Sequence, residues 1–202
     1  MKKLFDVPRY SIAEWIPFLR LISVPFIVVV VLLDWRTFAG LAYLISFSSD
    51  ALDGFVARRF NMESDRRGRL DSIADEFLLA AGVLALYRFE TAFFHAHLGL
   101  ILVILSLYVF QLVFSLIRYG TFSSFHTISA RVAAVVQAIF LTSIFFIDPI
   151  SWLFHVMIVL SAVELIEENV LIAMFSKWRA HVNGIYWVVR DRNRKRAHET
   201  SV

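Results

Sequence analysis

Asp50-Ala51-Leu52-Asp53-Gly54-Phe55-Val56-Ala57-Arg58, followed after a polar stretch by Gly68-Arg69-Leu70-Asp71-Ser72-Ile73-Ala74-Asp75, sets four carboxylates at the adjoining ends of two apolar segments. On a helix, positions 50, 53, 54, 57 and 58 stand at i, i+3, i+4, i+7 and i+8 and share one face, and 71 and 75 align at i, i+4. A short connection lets the two helices pack through these faces, so the four carboxylates are expected to converge. Carboxylates gathered in this way repel one another and are costly to desolvate unless a cation sits among them. Hard oxygen donors select Mg²⁺, Mn²⁺ or Ca²⁺ over softer metals. Four of them suit two ions about 4 Å apart, an arrangement that clamps the attacking and leaving oxygens of a phosphoryl displacement. Gly54 and Ala57 on the same face allow close helix approach or leave room for a flat ligand, and Arg58 can pair with a phosphate.

Working outward, the chain is 59% apolar with a mean hydropathy of +0.69. That composition points to a membrane protein rather than a soluble domain. A crossing takes about 20 residues, so 202 residues accommodate about six crossings and no large extramembrane domain. Apolar windows predict six transmembrane helices at 16–33, 38–58, 70–87, 98–117, 128–147 and 152–175. The expected fold class is therefore an all-α integral membrane protein, one domain over 1–202, with an interfacial N-terminal segment at 1–15, read as a helix, and a basic tail at 176–202. Met1-Lys2-Lys3-Leu4 resembles the start of a signal peptide, but Asp6, Pro8, Arg9 and Glu14 follow instead of an apolar core, and the segment reads as retained.

Eighteen of the 20 Lys and Arg residues fall before or at the start of the first helix, in the 58–70 and 118–131 connections, or after 176; Arg36 and Arg88 alone fall on the other side. The positive-inside rule then predicts both termini, and the aspartate pairs, on the cytoplasmic face. With no cysteine, a thiolate nucleophile, a thiolate metal site and a disulfide framework are excluded. The run from Arg190 to Arg196 and the aromatic residues Trp178, Tyr186 and Trp187 fit a segment lying on an anionic membrane surface rather than one binding nucleic acid.

The pattern Asp-x2-Asp-Gly-x2-Ala-Arg, then Gly-x2-Asp-x3-Asp, resembles the signature of the CDP-alcohol phosphotransferase (CDP-alcohol phosphatidyltransferase) family. The resemblance implies a six-helix fold, usually homodimeric, with the signature on the second and third helices. It implies that Asp50, Asp53, Asp71 and Asp75 bind two divalent metal ions, Mg²⁺ or Mn²⁺, and that Asp75 also deprotonates the acceptor hydroxyl. It further implies that Gly54, Ala57 and Arg58, with Gly68, line the pocket for the donor's cytidine diphosphate. The family's second glycine usually stands four residues before the third aspartate; here Arg67 holds that place and Gly68 stands three before Asp71. The expected reaction moves a phosphatidyl-type group from a CDP-lipid, CDP-diacylglycerol above all, to an alcohol and releases CMP. An inner-membrane phospholipid-synthesis enzyme of a bacterium or archaeon fits the compact size.

Arg118, His126 and Arg131 flank or occupy the fourth connection, where basic residues of the resembling family often hold the phosphate of an acceptor such as glycerol 3-phosphate or inositol phosphate. Glu164, Glu167 and Glu168 form an i, i+3, i+4 acidic stripe in the last helix, expected to meet Arg118 or Arg131 or to recognise a headgroup. Two other readings stand beside the transferase. An aspartate-rich prenyltransferase has more helices and different motif spacing. A non-enzymatic cation-binding or transport protein predicts carboxylates near the bilayer midplane rather than beside basic connections.

Overall fold

The computed structural model describes residues 12–60, 65–120, 127–175, 182, 184–188 and 190, with side chains described from 21 to 49 and, within those ranges, from 73 onward. The elements are α1 (Ile12–Leu32), α2 (Arg36–Phe60), α3 (Asp65–Phe89), α4 (Thr91–Ala96), α5 (Leu98–Tyr119), α6 (Ile128–Ser143) and α7 (Ser151–Met174). All six expected helices are present, and the short α4 is added between the third and fourth. The expected break near residue 15 falls inside α1, whose helix already runs from Ile12; residues 1–11 lie outside the described residues. Described residues contain helices and turns and no strand.

Two compact units divide the chain. The first gathers α1, α2 and α3 with Leu141–Asp148. Within it α1 packs lengthwise against both α2 and α3, while α2 and α3 touch each other over only a short stretch. Among the described residues α1 carries most of the contact with each, and the aspartate-bearing faces, expected to pack against one another, have side chains outside the described residues. Ile27, Val31, Ala39, Ala74 and Ala85 are fully buried in this unit. Ser23 of α1 and Ser46 of α2 join hydroxyls at 2.7 Å, a polar tie of the kind that binds helices where water does not drive association.

At the other end of the first unit, α1 ends in a turn at Leu33-Asp34-Trp35, with Asp34 in the left-handed region at φ 61, which a short polar side chain tolerates. Arg36, the first residue of α2, meets Glu90 at 2.5 Å and donates to the Ile144 carbonyl, 2.5 Å from Nη2 and 3.1 Å from Nε. Arg88 meets Asp34 at 2.5 Å. The α6 helix was expected to reach 147 and ends at Ser143. Beyond that end Arg36 holds the Ile144 carbonyl, and Pro149 lacks an N–H and disfavours helical backbone at Asp148, so the helix does not resume. The chain closes instead through tighter bonds, Phe145 N–H to the Thr142 carbonyl and Phe146 N–H to the Ser143 carbonyl.

The second unit gathers α4, α5, most of α6 and α7, with Pro149 and the residues after it. The α5 helix is inside out by the standard of a water-soluble protein: its buried residues are Gln111 and Ser115, while Val103, Leu105, Val109, Phe110 and Ile117 are exposed. A helix surrounded by hydrocarbon has this pattern, because the solvent then favours apolar side chains and polar ones must find protein partners. Among the described residues α5 is the one helix long and apolar enough to cross a membrane, with shorter apolar stretches at Leu21–Leu32 and Ile128–Ser143. Gln111 donates to Glu168 of α7 at 2.5 Å, and Gln137 of α6 to Ser161 of α7 at 2.8 Å. At one end Phe93, Phe140 and Phe154 pack edge to face and tilted, with ring centroids 5.2–6.3 Å apart.

Candidate active site

The site is built on α2 and α3, and its frame is set below the aspartates. Buried Ala39, Tyr43 and Ser46 mark the inward stripe of α2 at spacings of four and three. Continued at the same alternation of three and four, that stripe runs through 50, 53 and 57. Position 50, position 53 and Ala57 therefore fall in register with the face that α2 turns toward its neighbours. On α3 the buried stripe is Ala74, Leu78, Ala81 and Ala85, and position 71 stands three residues before its start. Asp75 lies next to that stripe and is itself exposed.

The two helices meet where Tyr43 lies against Gly82. A β-carbon at Gly82 would sit 2.7 Å from the Tyr43 hydroxyl oxygen and 2.8 Å from a methyl of Leu141, so only glycine allows this approach without displacement. Asp50 lies seven residues beyond Tyr43 on α2, and Asp75 seven residues before Gly82 on the antiparallel α3. At 1.5 Å per residue both stand about 10 Å from the crossing, and Asp53 and Asp71, ten and eleven residues away, about 15–17 Å. The pairs are thus matched in height along the two helices. Asp75 also lies within electrostatic range of the buried Tyr43.

Carboxylates are the hard-oxygen donors that a divalent ion would require at these four positions. The side chains of Asp50, Asp53, Gly54, Ala57, Arg58, Gly68 and Asp71 lie outside the described residues, as does the whole of His126. Tyr43 and Ser46 were not singled out by sequence reasoning, although their spacing of seven and four residues before Asp50 carried the signal.

Arg118 and Arg131 lie in the second unit. The Arg118 guanidinium, which is exposed, donates to the carbonyls of Phe175 at 3.3 Å and Ala173 at 3.4 Å, at the end of α7. Tyr119 donates to Ile172 and Phe175 at 3.2 Å. These donors satisfy carbonyls that a helix end otherwise leaves without partners. Arg131 is exposed, its Nε donating to the Thr127 carbonyl at 3.4 Å. Among the described residues, the expected pairing of the acidic stripe with these arginines does not occur. Glu168 takes the Gln111 amide, and Glu167 takes the Ser129 hydroxyl and the Ile185 N–H. Neutral donors on adjacent backbone and helices stand nearer to the stripe than either guanidinium.

The family model described as CDP-alcohol phosphatidyltransferase matches residues 10–174. The chain belongs to that family. The match runs through both compact units and includes all four aspartates. Curated relatives within it include the CDP-diacylglycerol–glycerol-3-phosphate 3-phosphatidyltransferases of Wigglesworthia glossinidia brevipalpis and Escherichia coli (strain K12). The first is 26% identical over 99 residues, covering 48% of this chain and 54% of the relative. The second is 33% identical over 79 residues, covering 38% of this chain and 43% of the relative. The chain thus matches about half the length of these relatives.

Proposed function

We propose that this member of the CDP-alcohol phosphatidyltransferase family is a membrane enzyme that transfers the phosphatidyl group of a CDP-lipid, CDP-diacylglycerol in the first instance, to a phosphorylated polyol. The observation that carries the reading is the family match over residues 10–174, which includes all four aspartates, and their count from the Tyr43–Gly82 contact, seven and seven, ten and eleven residues, agrees with it. The names of the relatives support glycerol 3-phosphate as acceptor, with inositol phosphate as the next candidate. Six crossings place both termini and the aspartates on the Lys/Arg-rich, cytoplasmic side of a bacterial or archaeal inner membrane. The chain acts as a single domain and a homodimer, with membrane lipid around it.

Asp50, Asp53, Asp71 and Asp75 would hold two divalent ions, Mg²⁺ or Mn²⁺, which when bound neutralise the diphosphate and its departing oxygen. Asp75 accepts the proton of the acceptor hydroxyl as its oxygen attacks the lipid-side phosphorus. The new P–O bond forms as the bond to CMP breaks, and CMP carries away the electron pair, so no enzyme nucleophile is required. Gly54, Ala57, Arg58 and Gly68 receive the cytidine diphosphate. Arg118, His126 and Arg131 serve the acceptor phosphate. Both arginines would do so by giving up or sharing the carbonyl bonds they make, Arg118 to Phe175 and Ala173 and Arg131 to Thr127.

The test is CMP release by the purified protein in detergent with CDP-diacylglycerol and Mg²⁺, against glycerol 3-phosphate, inositol phosphate, inositol, serine and no acceptor. Release is expected with a phosphorylated polyol. It should fall by a factor of about 10²–10⁴ in Asp75→Asn and vanish with EDTA until Mg²⁺ or Mn²⁺ is restored in excess. Release that persists in Asp75→Asn, or in EDTA, would sink the assignment of base and metal. CDP-diacylglycerol binding without release to any acceptor would point to a different alcohol.

A further inference from the structure

Glu167 ends a chain of hydrogen bonds that all run toward it. The Ala130 N–H donates to Thr127 Oγ1 at 3.1 Å, Thr127 and Ser129 share a hydroxyl–hydroxyl bond at 2.9 Å, and Ser129 donates to Glu167 Oε2. With Ser129 donating onward, Thr127 is the donor to Ser129. From the opposite side the Ile185 N–H donates to Glu167 Oε1 at 2.9 Å. An ionised carboxylate has only acceptors, so it is the group that can terminate donors arriving on both oxygens. Thr127 is fully buried and caps the N-terminus of α6, satisfying one of its open N–H groups. Its carbonyl holds Arg131.

The partner on the other side is the C-terminal segment. Val182 is buried against Leu171 and Ile172 of α7, with Ile185 and Val188 packed beside it. Gly184, at φ 141, passes so close to Glu167 that a β-carbon there would stand 2.8 Å from Oε1. The segment is therefore seated on α7, and its seat and the start of α6 share one carboxylate.

We propose that Glu167 is a positioning residue for the acceptor, clasping the C-terminal segment at Ile185 to the α6 N-terminus so that Thr127, and through it the Arg131 guanidinium, is held for the acceptor phosphate. The proposal rests on the reading of Arg131 as a ligand of that phosphate. It assigns the C-terminal segment a part in acceptor recognition.

The chain has no cysteine, so a nitroxide on Tyr186→Cys, an exposed position, reads the segment alone in the full-length protein. Steady-state kinetics with glycerol 3-phosphate and CDP-diacylglycerol read the consequence. Glu167→Ala is expected to mobilise the label and to raise the glycerol 3-phosphate KM about tenfold through the loss of bonds to a charged acceptor, with the CDP-diacylglycerol KM and kcat unchanged. Glu167→Gln should restore the label's immobility, because its carbonyl keeps the Ile185 N–H, and the acceptor KM in part, because the Ser129 bond is kept with its direction reversed. Gly184→Val should reproduce the alanine phenotype with Glu167 intact. An immobile label in Glu167→Ala overturns the clasp. A mobile label with unchanged acceptor KM, or with both KM values rising together, overturns the positioning role. An unchanged acceptor KM in Arg131→Ala overturns the proposal through the reading it rests on, and the label then still tells whether the clasp itself exists.

Discussion

The hydroxyl of Tyr43 on α2 lies against Gly82 on α3, at 2.7 Å from the place a β-carbon would occupy. This contact sets where the two aspartate-bearing helices cross. Because both pairs of aspartates are counted along rigid helices from this point, a shift here is carried to positions about 10 Å and about 15–17 Å away.

Gly82→Ala should therefore lower activity and stability together. The added methyl meets the Tyr43 oxygen and the Leu141 side chain, and overpacking of this kind costs about 1–3 kcal/mol. Tyr43→Phe removes the oxygen and should return part of both losses when combined with Gly82→Ala. Thermal unfolding in detergent and CMP release measure the two effects. Additive losses in the double variant would show that the two residues do not determine the crossing jointly.

The two ion pairs at the far end of the first unit should differ in weight. Arg36 is partly buried against Glu90 and also binds the Ile144 carbonyl, with the Phe89 ring 5.6 Å from its guanidinium carbon. Arg36→Ala removes all of these and leaves Glu90 and a carbonyl without a donor, a cost of about 2–4 kcal/mol. The Arg88–Asp34 pair is about half exposed on both sides, and Arg88→Ala should cost under about 1 kcal/mol. Unfolding midpoints of the two variants test this, and equal shifts would contradict it.

The buried pair of Gln111 and Glu168 joins α5 to α7 at 2.5 Å. Glu168→Ala removes the hydrogen bond that the Gln111 amide makes across the two helices and should destabilise by about 1–3 kcal/mol. Replacing both, Gln111→Leu with Glu168→Leu, should recover part of that loss, since the two polar groups of this bond are removed together. Unfolding of the three variants gives the coupling energy directly. Near-zero coupling would mean that the pair does not hold the two helices together.

Much of the architecture was legible without coordinates. Long apolar segments announced six helices because span length and hydrophobicity are properties of contiguous residues, and the i, i+3, i+4 spacing of 50, 53, 71 and 75 followed from helical geometry alone. The family signature lies in the same short stretch. The α4 turn and the early end of α6 were not legible. The first is too short to leave a periodic trace, and the second is a local switch to tighter bonds at Phe145 and Phe146 within an apolar run that continues to Ile147. The acidic stripe shows the boundary most clearly. Its alignment was visible at Glu164, Glu167 and Glu168, yet its partners were assigned by charge to arginines, and the fold supplies a glutamine, a serine and a backbone N–H instead.

By itself, then, the sequence determined what repeats or stays local along the chain: the helices, the family signature and the helical spacing of its four aspartates. Tertiary structure decided which helix lies against which, that α1 rather than direct contact supports most of α2 and α3, that Tyr43 and Gly82 mark the crossing, and that one carboxylate joins α6 to the C-terminal segment. The physical reason is that periodicity is encoded by neighbours within a turn or two, whereas the partner of a buried polar group is whichever donor the packing of distant segments brings within 3 Å.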